Sequence, residues 1–356
     1  MKKSAWLPAV IAPVVVAGAI AAPALANAAS TPLAGSNPTA AEVIASVAKS
    51  ADAQYSGKLS QTSDLGLPEL PTGSGGSSLE GNASDAISML TSSHTARVYA
   101  DGATKQRVQV TEQLAEQDLI RNGSDVWTWD SKQREATHVT LPSDARKSFE
   151  DGTTTPSDIA KQAVDAISPS TKVAKPTSTT VAGHDAWQLV LSPKSSDTLV
   201  GSVQLAVDKQ TGLPLRATVQ AKGQSDPAFQ VRFTSLQYGA PAARLFDFTP
   251  PSNAKVTTKD LSDVPADHAG TGEHAFDRAD APTFSGSGWD TIAELPAGTA
   301  DTSSAGADTT ALLDQLTKAV DGGRAIQTSL VSVYLTDDGR VLAGAVPVSS
   351  LVAAAK

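Results

Sequence analysis

The chain has 356 residues and no cysteine, which excludes disulfides, thiol chemistry and cysteine-based metal sites. The formal net charge is −9, and an acidic chain of this kind is not typical of a protein that follows nucleic-acid phosphates. The length exceeds one typical domain and predicts one large and one smaller domain.

Residues 1–28 have the pattern of a signal peptide. Lys2 and Lys3 precede an apolar run from Ala5 to Ala22, and small residues at Ala24-Leu25-Ala26 and Ala26-Asn27-Ala28 fit two cleavage sites. The alternative is an uncleaved membrane anchor, because the run approaches the ~18 residues that span a bilayer. We expect an exported protein of the cell envelope or exterior, soluble after cleavage. Without Lys2 and Lys3, 26 basic residues face 37 acidic ones, a net charge of −11.

The mature chain begins with a helix and one strand. Thr39 is a predicted N-cap for a helix that carries Val43, Ile44 and Val47 at helical spacing and ends near Asp52. A strand is predicted from Tyr55. The segment Gly66–Gly81 is rich in proline and glycine, which predicts either a mobile flap or disorder.

A long meander of strands follows from His94. Asp101-Gly102 and Asn122-Gly123 separate alternating runs and predict hairpin turns. The stretch "PSDIAKQAVDAI" from Pro156 predicts a helix. The strands beyond it alternate between an apolar and a polar face, with Trp187, Leu189 and Leu191 in one apolar set and Phe229, Val231 and Phe233 in another.

The composition changes near Thr257. Residues 257–287 are rich in Asp, Ala, Gly and His and predict a flexible acidic linker. Residues 288–356 predict a small module with a strand at "WDTIAEL", a helix at "TALLDQLTKAV", a hairpin turning at Asp337-Asp338-Gly339 and a last helix at "SSLVAAA".

The order of these elements resembles one superfamily. The phrases "DVWTWDSKQREATHVTL", "VAGHDAWQLVLSP", "VDKQTGLPLRATV" and "FDFTPP" are similar to those of the LolA/RseB (MucB)-like proteins of the bacterial envelope, over residues 37–256. The resemblance implies an α+β fold: a large antiparallel, unclosed half-barrel sheet with helices covering its concave face, plus a small C-terminal α/β module. It also implies a concave face that holds lipid or the acyl chains of lipoproteins. The extra module points toward RseB, which implies an anti-sigma factor or another membrane-bound regulatory protein as an alternative partner.

Trp127 and Trp129 are the conspicuous site candidates. They lie two residues apart in "VWTWDS" and share a face if this stretch is a strand. Two interpretations stay open: the indoles pack as core, or they line an apolar slot that the helices leave unfilled. The slot hypothesis predicts a ligand-binding wall of bulky alternating residues, with Gly66–Gly81 as its lid: Trp127, Trp129, Trp187, Leu189, Val231 and Phe233.

The sequence offers little for catalysis or metals. The five histidines show no HxxxH or HxH spacing, and no nucleophile elbow or phosphate loop is present. We therefore expect no enzyme, no metal site, no cofactor and no nucleic-acid partner. Three functions remain: a non-enzymatic carrier of lipid or acylated lipoprotein, an envelope-stress regulator, and a structural protein whose sheet is packed.

Overall fold

A computed structural model describes residues 37–66, 93–112, 115–141, 168–260, 282–297 and 317–356. The predicted signal peptide, the predicted helix from Pro156 and all of the flap beyond Gly66 lie outside the described residues. Within the described part, no helix is both long and apolar enough to cross a membrane.

The predicted first helix is confirmed as α1 (Ala40–Lys49), followed by one 3₁₀ turn to Asp52. Thr39 Oγ1 accepts from the backbone N–H of Glu42 at 3.2 Å, and the Thr39 N–H donates to the Glu42 carboxylate at 2.7 Å. This reciprocal capping box satisfies two backbone donors that a helix start leaves without partners. The Glu42 carboxylate accepts hydrogen bonds from the Thr39 N–H and from the Thr39 hydroxyl, and both lower the pKa of Glu42, the backbone bond by more.

Thirteen described strands form the large sheet. They are β1 (Gln54–Ser63), β2 (His94–Asp101), β3 (Lys105–Glu112), β4 (Ala115–Asn122), β5 (Asp125–Asp130), β6 (Glu135–Thr140), β7 (Thr171–Val173), β8 (Thr177–Val181), β9 (His184–Pro193), β10 (Val200–Asp208), β11 (Pro214–Ala221), β12 (Phe229–Tyr238) and β13 (Lys255–Asp260). The order is β13-β6-β5-β4-β3-β2-β1-β12-β11-β10-β9-β7, and β8 also pairs with β9. The two end strands β13 and β7 do not pair with each other, so the described sheet is unclosed. The hairpins at Asp101-Gly102 and Asn122-Gly123 are confirmed.

The expectation of a wholly antiparallel sheet is wrong at one edge. β13 pairs with β6 in parallel, from Lys255 opposite Glu135 to Asp260 opposite Thr140. The reason is the route of the chain: residues 239–254 leave the end of β12, cross the sheet and reach β6 at the end where β6 begins. The sheet is therefore mixed. β13 also occupies the start of the predicted linker, whose residues 261–281 lie outside the described part.

A second sheet forms the C-terminal module. Its strands are β14 (Thr283–Ser285), β15 (Ile292–Leu295), β16 (Lys318–Val320), β17 (Gly323–Gln327), β18 (Ser332–Thr336) and β19 (Val341–Gly344), in the order β14-β15-β19-β18-β17-β16. The helix α2 (Val348–Ala354) buries Leu351 against Tyr334 and Leu342. The hairpin at Asp337–Gly339 is confirmed.

The predicted helix through Val320 is wrong over its last residues. Lys318–Val320 form strand β16, which pairs with β17 across the Asp321-Gly322 turn. Backbone pairing within this tight hairpin prevails over the helical spacing of the leucines that precede it.

Candidate functional site

The large sheet has two faces, which the pairing register traces because directly opposed residues point to the same side. Leu205 pairs with Leu189 on one side and with Ala217 on the other, and Ala217 pairs with Val231. Val231 in turn pairs with Gln61 on β1. Four strands therefore direct one apolar set to the same face.

The same face continues across the other half of the sheet. Gly57, which alternates with Gln61 on β1, pairs with Val98. Val98 pairs with Val108, and Val108 pairs with Leu119 on β4. We call this side the helix face, because α1 packs on it.

Trp127 points to the other side. It pairs with Ile120, the sequence neighbour of Leu119, and Ile120 pairs with Arg107. Successive strand residues face opposite sides, so Trp127 and Trp129 lie on the side opposite the helix face. We call it the tryptophan face.

α1 covers the part of the helix face that β9, β10 and β11 form. Val43 is fully buried in a cluster with Trp187 and Val207, and Ile44 is buried in a cluster with Leu189 and Leu191. Seven buried or half-buried side chains of β9–β11 are thus covered by one short helix, which buries a continuous apolar stripe.

Gly212 lets the β10–β11 turn approach this helix closely. Its φ is +74°, and a Cβ at this position would lie 1.9 Å from the backbone oxygen of Ser46. Only glycine fits both the left-handed backbone and the contact.

A second apolar group occupies the helix face on β1, β2, β3 and β12. Val98 and Phe233 are buried there, and half-buried Leu59 and Val108 pack against them. Half-buried Val231 lies on the same face of β12. We call these five residues the apolar patch. Among the described residues, the two clusters that contain α1 side chains do not include any of them.

The tryptophan face is covered differently, by a strap (residues 243–250) that follows β12 and begins with one 3₁₀ turn at Ala243–Leu245. The Trp127 ring stacks on His138 with centroids 4.3 Å apart, and Phe248 of the strap lies 5.5 Å from Trp127 and 6.2 Å from Trp129. His138 Nε2 lies 2.7 Å from an Asp125 carboxylate oxygen. The strap residue Phe246 is 2% exposed. The indoles are therefore packing surface for the strap.

A buried ion pair joins this face to the strap. Arg107 Nη2 donates to the carboxylate of Asp118, and Arg107 Nη1 donates to the backbone oxygen of Leu245 at 3.3 Å. Burial raises the pKa of Asp118 to about 6, and the attraction of Arg107 only partly opposes this rise. Arg107 Nε and Asp118 Oδ1 are buried without a hydrogen-bond partner.

The six predicted wall residues are therefore not brought together on one surface. Trp187 and Leu189 lie under α1, Val231 and Phe233 belong to the apolar patch, and Trp127 and Trp129 lie on the opposite face. The sequence interpretation missed the strap and the Arg107–Asp118 pair. A signal for the strap exists: Phe246 and Phe248 repeat the two-residue spacing of the tryptophans just before "TPP".

In the described ranges, no three His, Asp or Glu side chains come close enough together to hold a metal ion.

One protein family matches part of the chain. Residues 87–260 match the family model of the MucB/RseB N-terminal domain. The resemblance to the LolA/RseB-like superfamily is confirmed. No curated protein gives a significant match.

Several solved structures are similar to this chain at low identity. The Pseudomonas aeruginosa MucA/MucB complex matches with 14% identity and a TM-score of 0.44, over 87% of this chain and 95% of that chain. An uncharacterized conserved protein from Thermus thermophilus matches with 11% identity and a TM-score of 0.36, over 61% of this chain and 98% of that chain. A LolA superfamily protein from Nitrosomonas europaea matches with 11% identity and a TM-score of 0.24, over 59% and 98%.

Proposed function

We propose that this protein is an exported, non-enzymatic carrier in the bacterial cell envelope. It binds lipid, or the acyl chains of lipoproteins, on the helix face of its large sheet. In this proposal the helix face is the concave side of a half-barrel, and the apolar patch is the surface that contacts the ligand.

One observation carries the proposal. The apolar patch continues the helix face beyond the clusters that α1 completes, and Leu59, Val108 and Val231 are only half-buried among the described residues. An apolar surface of this kind is the default lining of a small-molecule site. The match to the MucB/RseB domain supports an envelope location.

The energetics suit a carrier. Burying an acyl chain of about 16 carbons at ~0.8 kcal/mol per CH₂ supplies roughly 12 kcal/mol. Association costs of about 4–15 kcal/mol oppose this gain. The net affinity is therefore modest, and a modest affinity permits release to an acceptor.

The decisive test places one charge on either face of the same strand. Val231→Asp puts a carboxylate on the helix face, whereas Gln230→Asp puts it on the opposite face one residue away. Titration with a fluorescently labelled fatty acid should show at least about tenfold weaker binding for Val231→Asp and unchanged binding for Gln230→Asp, because an unpaired charge is costly in an apolar site. Thermal melts of both variants should stay close to wild type.

Two results would argue against a carrier. Wild type that binds no acyl probe, together with a collapsed melt for Val231→Asp, would mean that the patch is filled core. Phe233→Glu provides the reference for such a collapse, because Phe233 is 5% exposed.

A second candidate function is an RseB-like envelope-stress regulator that binds an anti-sigma factor or another membrane-bound protein. It is favoured by the match to the MucB/RseB N-terminal domain and by the module that follows the matched residues. A pull-down from solubilised envelopes, with and without residues 288–356, tests it. Capture of a membrane protein that needs the module supports the regulator, and identical captures argue against it.

A further inference from the structure

The C-terminal module touches the large sheet at strand ends. Trp289 Nε1 donates to Thr171 Oγ1 at 2.8 Å, at the first residue of β7. The backbone oxygen of Ala345 accepts from the Leu199 N–H and from Thr198 Oγ1, both at 2.7 Å, just before β10 begins. Thr198 is 2% exposed, so its side chain in this second contact is buried.

A third contact lies beyond the end of β1. The Ser329 N–H donates to the backbone oxygen of Leu65 at 2.8 Å, and Ser329 Oγ donates to that of Asp64 at 3.1 Å. Ser329 belongs to a tight turn that Thr328 closes by hydrogen bonds to both backbone groups of Val331. Val331 is 42% exposed in this turn, so the module presents an apolar side chain near the end of β1.

All three contacts fall at the same end of the sheet. The end of β1 meets the start of β12, since Ser63 pairs with Phe229. Across the intervening antiparallel strands, the starts of β10 and β7 lie at this end too. The opposite end of β1 carries hydroxyl groups instead: Tyr55 pairs with Tyr238, whose Oη lies 2.9 Å from Thr211 Oγ1.

We propose that the C-terminal module is the end wall of the acyl site and limits the length of the chain that the helix face accommodates. This inference rests on the proposed carrier function. The methyl end of the ligand points toward the module, and its polar head lies toward the tyrosine hydroxyls. Affinity then rises with chain length, by about fourfold for each added methylene, until the chain reaches the module.

The first experiment releases the module and measures chain-length preference. Gly288 has a φ of +59°, and a Cβ there would lie 2.5 Å from the side chain of Ser170. Gly288→Leu with Trp289→Phe therefore wedges the module away from β7 and removes one docking donor. Gly223→Leu is the matched control, because Gly223 has a φ of +77° and no atom within 4 Å of an added Cβ.

Saturated fatty acids from decanoate to behenate are titrated in competition with a labelled fatty acid, and small-angle scattering monitors module release. In wild type and in Gly223→Leu, the rise in affinity should stop at one chain length. In the released variant the rise should continue to longer chains, with short-chain affinity unchanged. The same stopping point in a variant that scattering shows to be released overturns the proposal.

A second measurement needs no variant. A fatty acid of the limiting length, with a photoreactive diazirine on its terminal carbon, should crosslink wild type within residues 328–331. Crosslinks confined to residues 40–256 would overturn the end wall and leave the carrier proposal intact. Failure of every fatty acid to bind wild type would instead refute the carrier itself.

Discussion

The two faces of the large sheet obtain their cover in different ways. The helix face receives α1, whose buried side chains are almost all apolar, and continues into the apolar patch. The tryptophan face receives the strap, which is held by contacts of Phe248 with the two indole rings and by the buried pair of Arg107 and Asp118. One period-two alternation thus builds two surfaces that are covered in unlike ways.

The largest expected effect comes from the part of the helix face under α1. Leu189→Ala should lower the free energy of unfolding by about 2–5 kcal/mol, because Leu189 is 1% exposed and its removal leaves a cavity. Denaturant unfolding measures the loss. Val190→Ala, the half-buried neighbour on the opposite face, is the control and should cost about 1 kcal/mol or less. Equal losses would show that α1 does not seal this face.

A smaller effect is expected on the tryptophan face. Trp127→Ala should cost about 2–3 kcal/mol, below the value for a fully buried tryptophan because the ring is half-buried. It should leave acyl-probe affinity unchanged, since Trp127 and the apolar patch lie on opposite faces of the sheet. Weaker probe binding with an unaltered melt would place the ligand on the tryptophan face instead.

The ion pair predicts an unusual pH dependence. The pKa of Asp118 is about 6 in the folded protein and near 3.8 in the unfolded chain, so the folded state binds the proton more tightly. The contribution of Asp118 to stability should therefore increase as the pH falls from about 7 to about 4, by on the order of 2 kcal/mol. Asp118→Asn should remove this increase. Urea midpoints across that range measure it, and a wild-type stability that falls in parallel with the variant's would contradict the assignment.

The smallest effect concerns the start of α1. Thr39→Ala removes one half of the capping box and should cost about 1 kcal/mol. Thr39→Ser keeps the accepting oxygen and should stay within a few tenths of wild type. Thermal melts distinguish the two variants, and equal losses would mean that the cap does not limit the stability of the helix.

Local chemistry made most of the fold predictable. Thr39 and Glu42 predict the start of α1, and Asp101-Gly102 and Asn122-Gly123 predict two hairpins, because capping and turn formation depend on residues close in sequence. The parallel β13 was not predictable, since no local pattern of "KVTTKD" reports which strand lies beside it. The helix expected through Val320 was wrong for a related reason. The helical spacing of the sequence does not report that Lys318–Val320 pair with β17.

The candidate site was predictable only in part. Alternation correctly grouped Trp127 with Trp129, and Val231 with Phe233. It could not relate the two groups, because their relative side depends on a register that runs through the four intervening strands β4, β3, β2 and β1 and a bulge near Lys58. The cover of the second face comes from residues 243–250, where the spacing of Phe246 and Phe248 signals one apolar side but not which face of the sheet it covers.

The central claim is that the acyl ligand lies on the helix face. Leu119 and Ile120 test it most directly, because these sequence neighbours on β4 point to opposite faces. NMR of their methyl groups with a spin-labelled fatty acid bound compares the two faces at one position of the sheet. The account predicts stronger broadening of Leu119 than of Ile120, with Val108 broadened as well. Stronger broadening of Ile120 would contradict it and would assign the ligand to the tryptophan face.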